Sequence, residues 1–136
     1  MISKIAHVCL NVSDFERTVA FYHGALGMPV RFRFEKQGKP IGAYFEAGAG
    51  TYVEFFVKKD LKVSNTGIVH LCLEVADIDQ AMADLAAKGV ACTPKKLGAD
   101  QTWQTWIADP DGNRIELHQY TPDSAQARGG VVEVNW

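Results

Sequence analysis

Two histidines and two glutamates are the residues of this chain whose spacing points to chemistry. His7 lies in Ile5-Ala6-His7-Val8-Cys9-Leu10-Asn11-Val12-Ser13-Asp14. His70 lies in Ile68-Val69-His70-Leu71-Cys72-Leu73-Glu74-Val75-Ala76-Asp77, where Ile, His, Cys, Val and Asp coincide with the first segment position by position. Glu54, in Tyr52-Val53-Glu54-Phe55, and Glu116, in Arg114-Ile115-Glu116-Leu117, follow Gly50 and Gly112 at the same distance. The His-to-Glu spacing of the two copies agrees to within one residue. A single strand histidine is ordinarily structural, but the same pair repeated at matched spacing reads as a ligand set. Two imidazoles and two carboxylates suit one divalent ion per site, from among Ni, Co, Zn, Mn and Fe.

The elements that position these groups repeat as well. Each histidine segment alternates like a strand and stops at Asp14 or Asp77, both able to cap a helix N-terminus. Phe15, Val19, Tyr22 and Leu26 then recur at helical spacing, as do Ile78, Met82, Leu85 and Ala86, and each helix ends at a glycine, Gly27 or Gly89. Three strands follow in each half: Val30–Glu35, Ile41–Ala47 and Tyr52–Val57, then Val90–Lys95, Thr102–Ala108 and Arg114–Tyr120. Turns are expected at Gln37-Gly38-Lys39-Pro40, Gly48-Ala49-Gly50 and Asp109-Pro110-Asp111-Gly112. The fold class is therefore α+β, with two βαβββ modules. Strand parity puts Val8, Leu10, Val53, Phe55, Ile115 and Leu117 under the helices and the His and Glu residues on the opposite, concave side. Residues 1–122 read as a single domain, its modules spanning about 1–60 and 66–122. In the 123–136 tail, Asp123–Gly130 reads as a linker and Val131–Trp136 as an apolar stub.

Composition narrows the class. The chain has 136 residues, 47% hydrophobic and 22% charged, the balance of one globular domain. A formal charge of -2 with no basic run excludes an electrostatic footprint for nucleic acid or an anionic membrane. No apolar stretch is long enough to span a bilayer, and no signal-peptide pattern opens the chain, so a cytoplasmic protein is expected. Cys9, Cys72 and Cys92 lie among apolar neighbours and read as small buried hydrophobes.

On these residues the chain resembles the vicinal oxygen chelate superfamily, which includes glyoxalase I (lactoylglutathione lyase), extradiol dioxygenases and bleomycin-resistance proteins. The resemblance rests on Ile5-Ala6-His7-Val8 with Val12-Ser13-Asp14, on Leu26-Gly27-Met28, on Ile68-Val69-His70-Leu71, and above all on Asp109-Pro110-Asp111-Gly112-Asn113-Arg114-Ile115-Glu116-Leu117. It implies the paired glyoxalase-like fold and metal positions at His7, Glu54, His70 and Glu116. It further implies a small-molecule substrate that chelates the ion through vicinal oxygens, with the metal stabilising an enediolate and Glu54 or Glu116 moving the proton as catalytic base. A metal-dependent lyase or isomerase is the leading expectation. An Fe(II) extradiol-type dioxygenase and a metal-free drug-binding resistance protein are the alternatives, and the presence of Glu54 favours proton transfer. Glu54 is followed by Phe55-Phe56-Val57-Lys58-Lys59 where glutathione-dependent members carry a polar stretch, so a sugar-derived ketone or keto acid suits the chain as well as glutathione does.

Further contacts are expected from Arg31 and Arg33, if their strand face is the concave one, to an anionic substrate group. Either Trp103 or Trp106 lines the cup while the other packs under a helix, and His118 shares the face of Glu116. Members of this length are usually two-fold dimers, and the Val131–Trp136 stub suits such an interface. Light scattering at micromolar concentration should give twice the 15.0 kDa chain mass. A 15.0 kDa species would exclude the homodimer.

Overall fold

The computed structural model describes residues 5–61, 70–129 and 131–132, arranged as two compact units. The first unit comprises the N-terminal half together with the turn Asp109–Gly112. Its elements are β1 (His7–Val12), α1 (Phe15–Val19, continued by a π-helical segment Ala20–Ala25), β2 (Val30–Lys36), β3 (Lys39–Glu46) and β4 (Tyr52–Val57). They form a four-stranded sheet in the order β1-β4-β3-β2, with β1 parallel to β4 and the other pairings antiparallel. This is the expected βαβββ arrangement.

Local chemistry sets the element ends. Asp14, in extended conformation, accepts the Arg17 N–H at 2.8 Å and starts α1. The Leu26 N–H reaches back five residues to the Phe21 carbonyl at 2.9 Å, the signature of a π turn. The extra residue rotates the helix face, so Phe15, Thr18, Phe21 and Tyr22 are the buried residues, where regular helical spacing predicts Phe15, Val19, Tyr22 and Leu26. The β2–β3 turn is tighter than its sequence implies. Gln37 (φ 52) and Gly38 (φ 70) both take left-handed backbone, the form that matches strand twist in a two-residue hairpin. Pro40 then lies opposite Glu35 beside a ladder irregularity, where its missing N–H is tolerated.

The core of this unit is a run of rings under α1. Tyr22 stacks on Phe45 at 5.5 Å, Phe45 on Phe55 at 5.3 Å, and Phe15 contacts Phe55 at 5.4 Å. Burying each such side chain contributes roughly 1.5–3 kcal/mol. The Tyr22 hydroxyl, inside this apolar layer, donates to the buried Asp109 carboxylate at 3.0 Å. Burial, reinforced by the Asp109 charge, pushes the phenol well above its ordinary range and keeps it a donor. Ser13 donates through its N–H and hydroxyl to Asp111, and Arg17 donates to the Pro110 carbonyl at 3.1 Å.

The second unit contains β5 (Leu71–Glu74), α2 (Ile78–Ala87), β6 (Lys96–Leu97), β7 (Trp103–Ala108), β8 (Arg114–Gln119) and α3 (Ala125–Arg128). Its sheet order is β5-β8-β7-β6, with β5 parallel to β8, so the connectivity repeats that of the first unit. Asp77 caps α2 through the Gln80 N–H at 3.0 Å, and Gln119 Oε1 accepts the Ile78 N–H at 2.9 Å. Ile78 and Leu85 are the buried residues of α2.

Two expectations are corrected here. The strand expected at Val90–Lys95 is not regular, and pairing with β7 is confined to Lys96–Leu97. Thr93 donates its N–H to the Trp106 carbonyl and accepts the Trp106 N–H on its hydroxyl, which replaces a ladder bond with a side chain. Pro94 next to it has no N–H to continue the ladder. The Asp123–Gly130 segment is not a free linker: Ser124 is fully buried and Ala125–Arg128 is helical. The Ala125 N–H donates to the Asp100 carbonyl, and Gln126 donates to the Asp100 carboxylate, both at 2.8 Å. Of the apolar stub, Val131 is exposed and Val132 lies at the edge of a cavity, while residues 133–136 fall outside the described residues, as do Ile68 and Val69 of the repeat.

Replacing Tyr22 by Phe removes a buried bond to a carboxylate and should lower unfolding free energy by about 1–3 kcal/mol in a urea titration. No loss would mean that water replaces the hydroxyl at no cost. Asp100 generates a pH effect. Burial opposes its charge, but hydrogen bonds from Gln126 and Thr102 and the nearby His118 hold its pKa below the usual 3.8. A lowered folded pKa stabilises above the unfolded value and is lost as pH falls through the folded one. The stability advantage of wild type over Asp100→Asn should therefore be flat near neutrality and shrink below about pH 4. An advantage that grows on acidification would contradict it.

Candidate metal and substrate site

In the first unit the parallel β1–β4 ladder sets Cys9 opposite Glu54, and the antiparallel β3–β4 ladder sets Tyr44 on the other side of Glu54. His7, Cys9, Glu54 and Tyr44 thus share the sheet face away from α1. Val53 and Phe55, which flank Glu54, are buried on the helix side. His7 Nε2 lies 3.5 Å from Glu54 Oε2, and the Tyr44 hydroxyl lies 3.2 Å from His7 Nδ1. In the tautomer that donates Nδ1–H to Tyr44, the Nε2 lone pair faces the Glu54 carboxylate. Phe32 stacks on Tyr44 at 4.4 Å, and Phe34 contacts Phe56 at 4.8 Å, so this face continues as an aromatic wall.

Arg33 takes the opposite face, with its guanidinium 5.7 Å above the Phe15 ring. The condition set for an anion contact, a concave-side location, is not met there. Arg31 is exposed at the irregularity between Val30 and Phe32.

The second unit carries the equivalent row, Cys72–Glu116–Trp106, with Glu74–His118–Gln104 as the next row. Glu116 is buried between two imidazoles: His70 Nε2 is 3.1 Å from Oε2, and His118 Nε2 is 3.1 Å from Oε1. The His118 approach lacks hydrogen-bond geometry, and its buried Nε2 has no hydrogen-bond partner among the described residues. Trp106 meets His70 edge-on at 4.8 Å and carries the Arg114 guanidinium at 4.3 Å. Trp106 is thus the tryptophan on the histidine side, whereas Trp103 pairs with Gln119 on the α2 side and bears the Lys95 ammonium at 4.8 Å. A cavity of about 740 Å³ is lined by His70, Asp100, Gln104, Trp106, Glu116 and His118, among others.

The cysteines correct the sequence expectation. Cys9 and Cys72 are exposed on the histidine faces, and only Cys92 is even half-buried. Strand parity already placed each thiol beside its histidine, and the apolar neighbours belong to the other face. Partial burial, with the adjacent carboxylate, pushes both the Cys9 and Cys72 thiols to about 11, which leaves them protonated near neutrality. Tyr44 was also not singled out from sequence. Its signal is the repeat itself, since Tyr44 and Trp106 occupy equivalent positions across from the two glutamates.

Residues 4–117 match the family described as the Glyoxalase/Bleomycin resistance protein/Dioxygenase superfamily. The glutathione transferase FosA of Serratia marcescens is 25% identical over 122 residues, covering 87% of this chain and 82% of its own. Lactoylglutathione lyase GLX1 of Arabidopsis thaliana is 28% identical over 130 residues, across 88% of this chain but 45% of its own length. The crystal structure of TnmS3, an antibiotic binding protein from Streptomyces sp. CB03234, superposes with a TM-score of 0.74 at 26% identity, covering 88% of this chain and 98% of that one. With the matched βαβββ topology and a His–Glu pair on the same face of each unit, the chain belongs to the Glyoxalase/Bleomycin resistance protein/Dioxygenase superfamily.

Proposed function

We propose that the protein is a metal-dependent lyase or isomerase of the glyoxalase kind, acting by proton transfer on a small molecule with neighbouring oxygens. One observation carries this reading. Glu116 is held between two imidazole nitrogens at 3.1 Å, one of which is buried without a hydrogen-bond partner. An unpaired buried polar atom is costly, and a cation among these donors would satisfy it. Each unit sets an imidazole beside a carboxylate on one face, His7 with Glu54 and His70 with Glu116, donors that suit a borderline divalent ion, so the residues present fit the group.

When bound, such an ion supplies Lewis-acid polarisation of a substrate oxygen. The protein groups do the rest. A glutamate carboxylate accepts the proton from a carbon beside the carbonyl and returns it, because Glu54 and Glu116 lie 3.5 Å and 3.1 Å from the Nε2 atoms of His7 and His70. Tyr44 holds the His7 ring through Nδ1, and Trp106 packs against His70, which restricts both imidazoles. Phe32 and Phe34 give the substrate an apolar surface rather than a charged one. Having two carboxylates rather than one favours proton transfer over ring cleavage or group transfer. Among the described residues no helix is long and apolar enough to cross a membrane.

Protein purified without chelators should carry one divalent ion per site, and His7→Ala/His70→Ala should lose tight binding. Stoichiometric metal in that double variant would overturn the ligand assignment. With dihydroxyacetone and pyruvate as probes, wild type should exchange solvent deuterium into the carbon beside the carbonyl. Glu116→Gln or Glu54→Gln should slow this exchange by about 10²–10⁴-fold, the scale of a lost general base. Undiminished exchange with Gln at both positions would overturn the proton-transfer role.

A further inference from the structure

We propose that the second unit binds a thiophilic divalent ion through the Cys72 thiolate together with Glu116 and His118, with His70 as a further donor. This rests on the metal reading above for His70 and Glu116, and goes beyond it by completing the ion's coordination within the second unit, through His118 and a sulfur ligand.

The donor atoms of Cys72, Glu116 and His118 all lie within 4.8 Å of one another. Ligands of a tetrahedral ion with metal–nitrogen and metal–sulfur distances of roughly 2.0 and 2.3 Å are themselves roughly 3.3–3.8 Å apart. The three atoms therefore need to close by about 1 Å, which side-chain rotation supplies. His70 Nε2, 3.1 Å from the same carboxylate, makes a nitrogen, nitrogen, oxygen and sulfur set. His118 is the second and independent indication. Its side chain is 10% exposed, and its Nε2 faces Glu116 with no hydrogen-bond partner among the described residues.

The geometry has a simple origin in the strands. Cys72 and Glu116 are paired residues of the parallel β5–β8 ladder, while His70 and His118 stand two residues before and after them on the same face. The first unit does not repeat this set. Cys9 pairs with Glu54 in the same way, but the position equivalent to His118 is Phe56, so among the described residues one sulfur site is complete. A thiolate among the ligands selects Zn²⁺ or Co²⁺ over Mn²⁺, which prefers oxygen. On binding, the sulfur–hydrogen bond of Cys72 breaks, the sulfur lone pair goes to the metal and the proton leaves to solvent.

The test uses the full chain freed of metal with a chelator and titrated with CoCl₂. One equivalent of Co²⁺ should produce an intense sulfur-to-cobalt charge-transfer absorption in the near ultraviolet. This absorption should vanish in Cys72→Ser and persist in Cys9→Ser. Zn²⁺ affinity of Cys72→Ser should fall by more than the roughly 100-fold that loss of an outer-shell partner costs. A second measurement needs no variant: Zn²⁺ should protect Cys72 of the wild type, but not Cys92, from iodoacetamide, read by peptide mass. Tight Co²⁺ binding with no sulfur band and an unprotected Cys72 would overturn the sulfur ligand and leave the metal reading standing. No Co²⁺ or Zn²⁺ binding would overturn both.

Discussion

Parallel pairing between the first and last strand of each unit is the constraint on which the site depends. β1 lies against β4, and β5 against β8, although the partners are far apart in sequence. This brings the histidine strand beside the glutamate strand, and the period-two alternation then sends both side chains to one face. A shift by one residue in either ladder would turn Glu54 or Glu116 into the helix-packed layer. Val53, Phe55, Ile115 and Leu117 oppose that shift, because each is buried on the other face and a slipped register would expose them. Apolar burial thus fixes the register, and the register assembles the polar groups.

Much of this is readable in the chain. The duplicated Ile-x-His-x-Cys-x-x-Val segments and the matched glutamates define two units of one topology, because a repeat reports fold where an isolated pattern does not. The strand bounds at Tyr52–Val57 agree, as do the aspartate caps at Asp14 and Asp77. What escaped depends on individual hydrogen bonds. Thr93 offers its hydroxyl to Trp106 and Pro94 interrupts the ladder, so a β-rich segment fails to become a strand. The π turn in α1 depends on where one N–H finds its carbonyl, which periodicity averages away. Ser124, expected in a polar linker, is buried because Asp100 gathers the segment that follows it.

The site shows the same division. The faces of His7, Glu54, His70, Glu116 and His118 follow from alternation, whereas the choice between Trp103 and Trp106 is made by the ladder register. That Glu116 has an imidazole on each side, one of them unpartnered, is a matter of tertiary distance. Equivalent positions in the two repeats have also diverged in character. Across from the glutamate stands Tyr44 in one and Trp106 in the other, and two residues beyond it stand Phe56 and His118. One face has become a stack of rings around its histidine, and the other a cluster of donor atoms around its carboxylate. Changes in apolar shape and changes in ligand chemistry therefore fall on different strands.

The turn Asp109–Gly112 belongs by its contacts to the first unit, although the chain reaches it only between β7 and β8. The N-terminal repeat is consequently incomplete as a stretch of sequence. Severed after β4, it would retain the buried Tyr22 hydroxyl but lose the Asp109 carboxylate that receives it, and Ser13 would lose Asp111. The two copies look like separable halves when their sequences are aligned. Physically, the earlier one borrows its last polar acceptors from chain made much later, so during synthesis its folding cannot be finished until Asp109–Gly112 have been made.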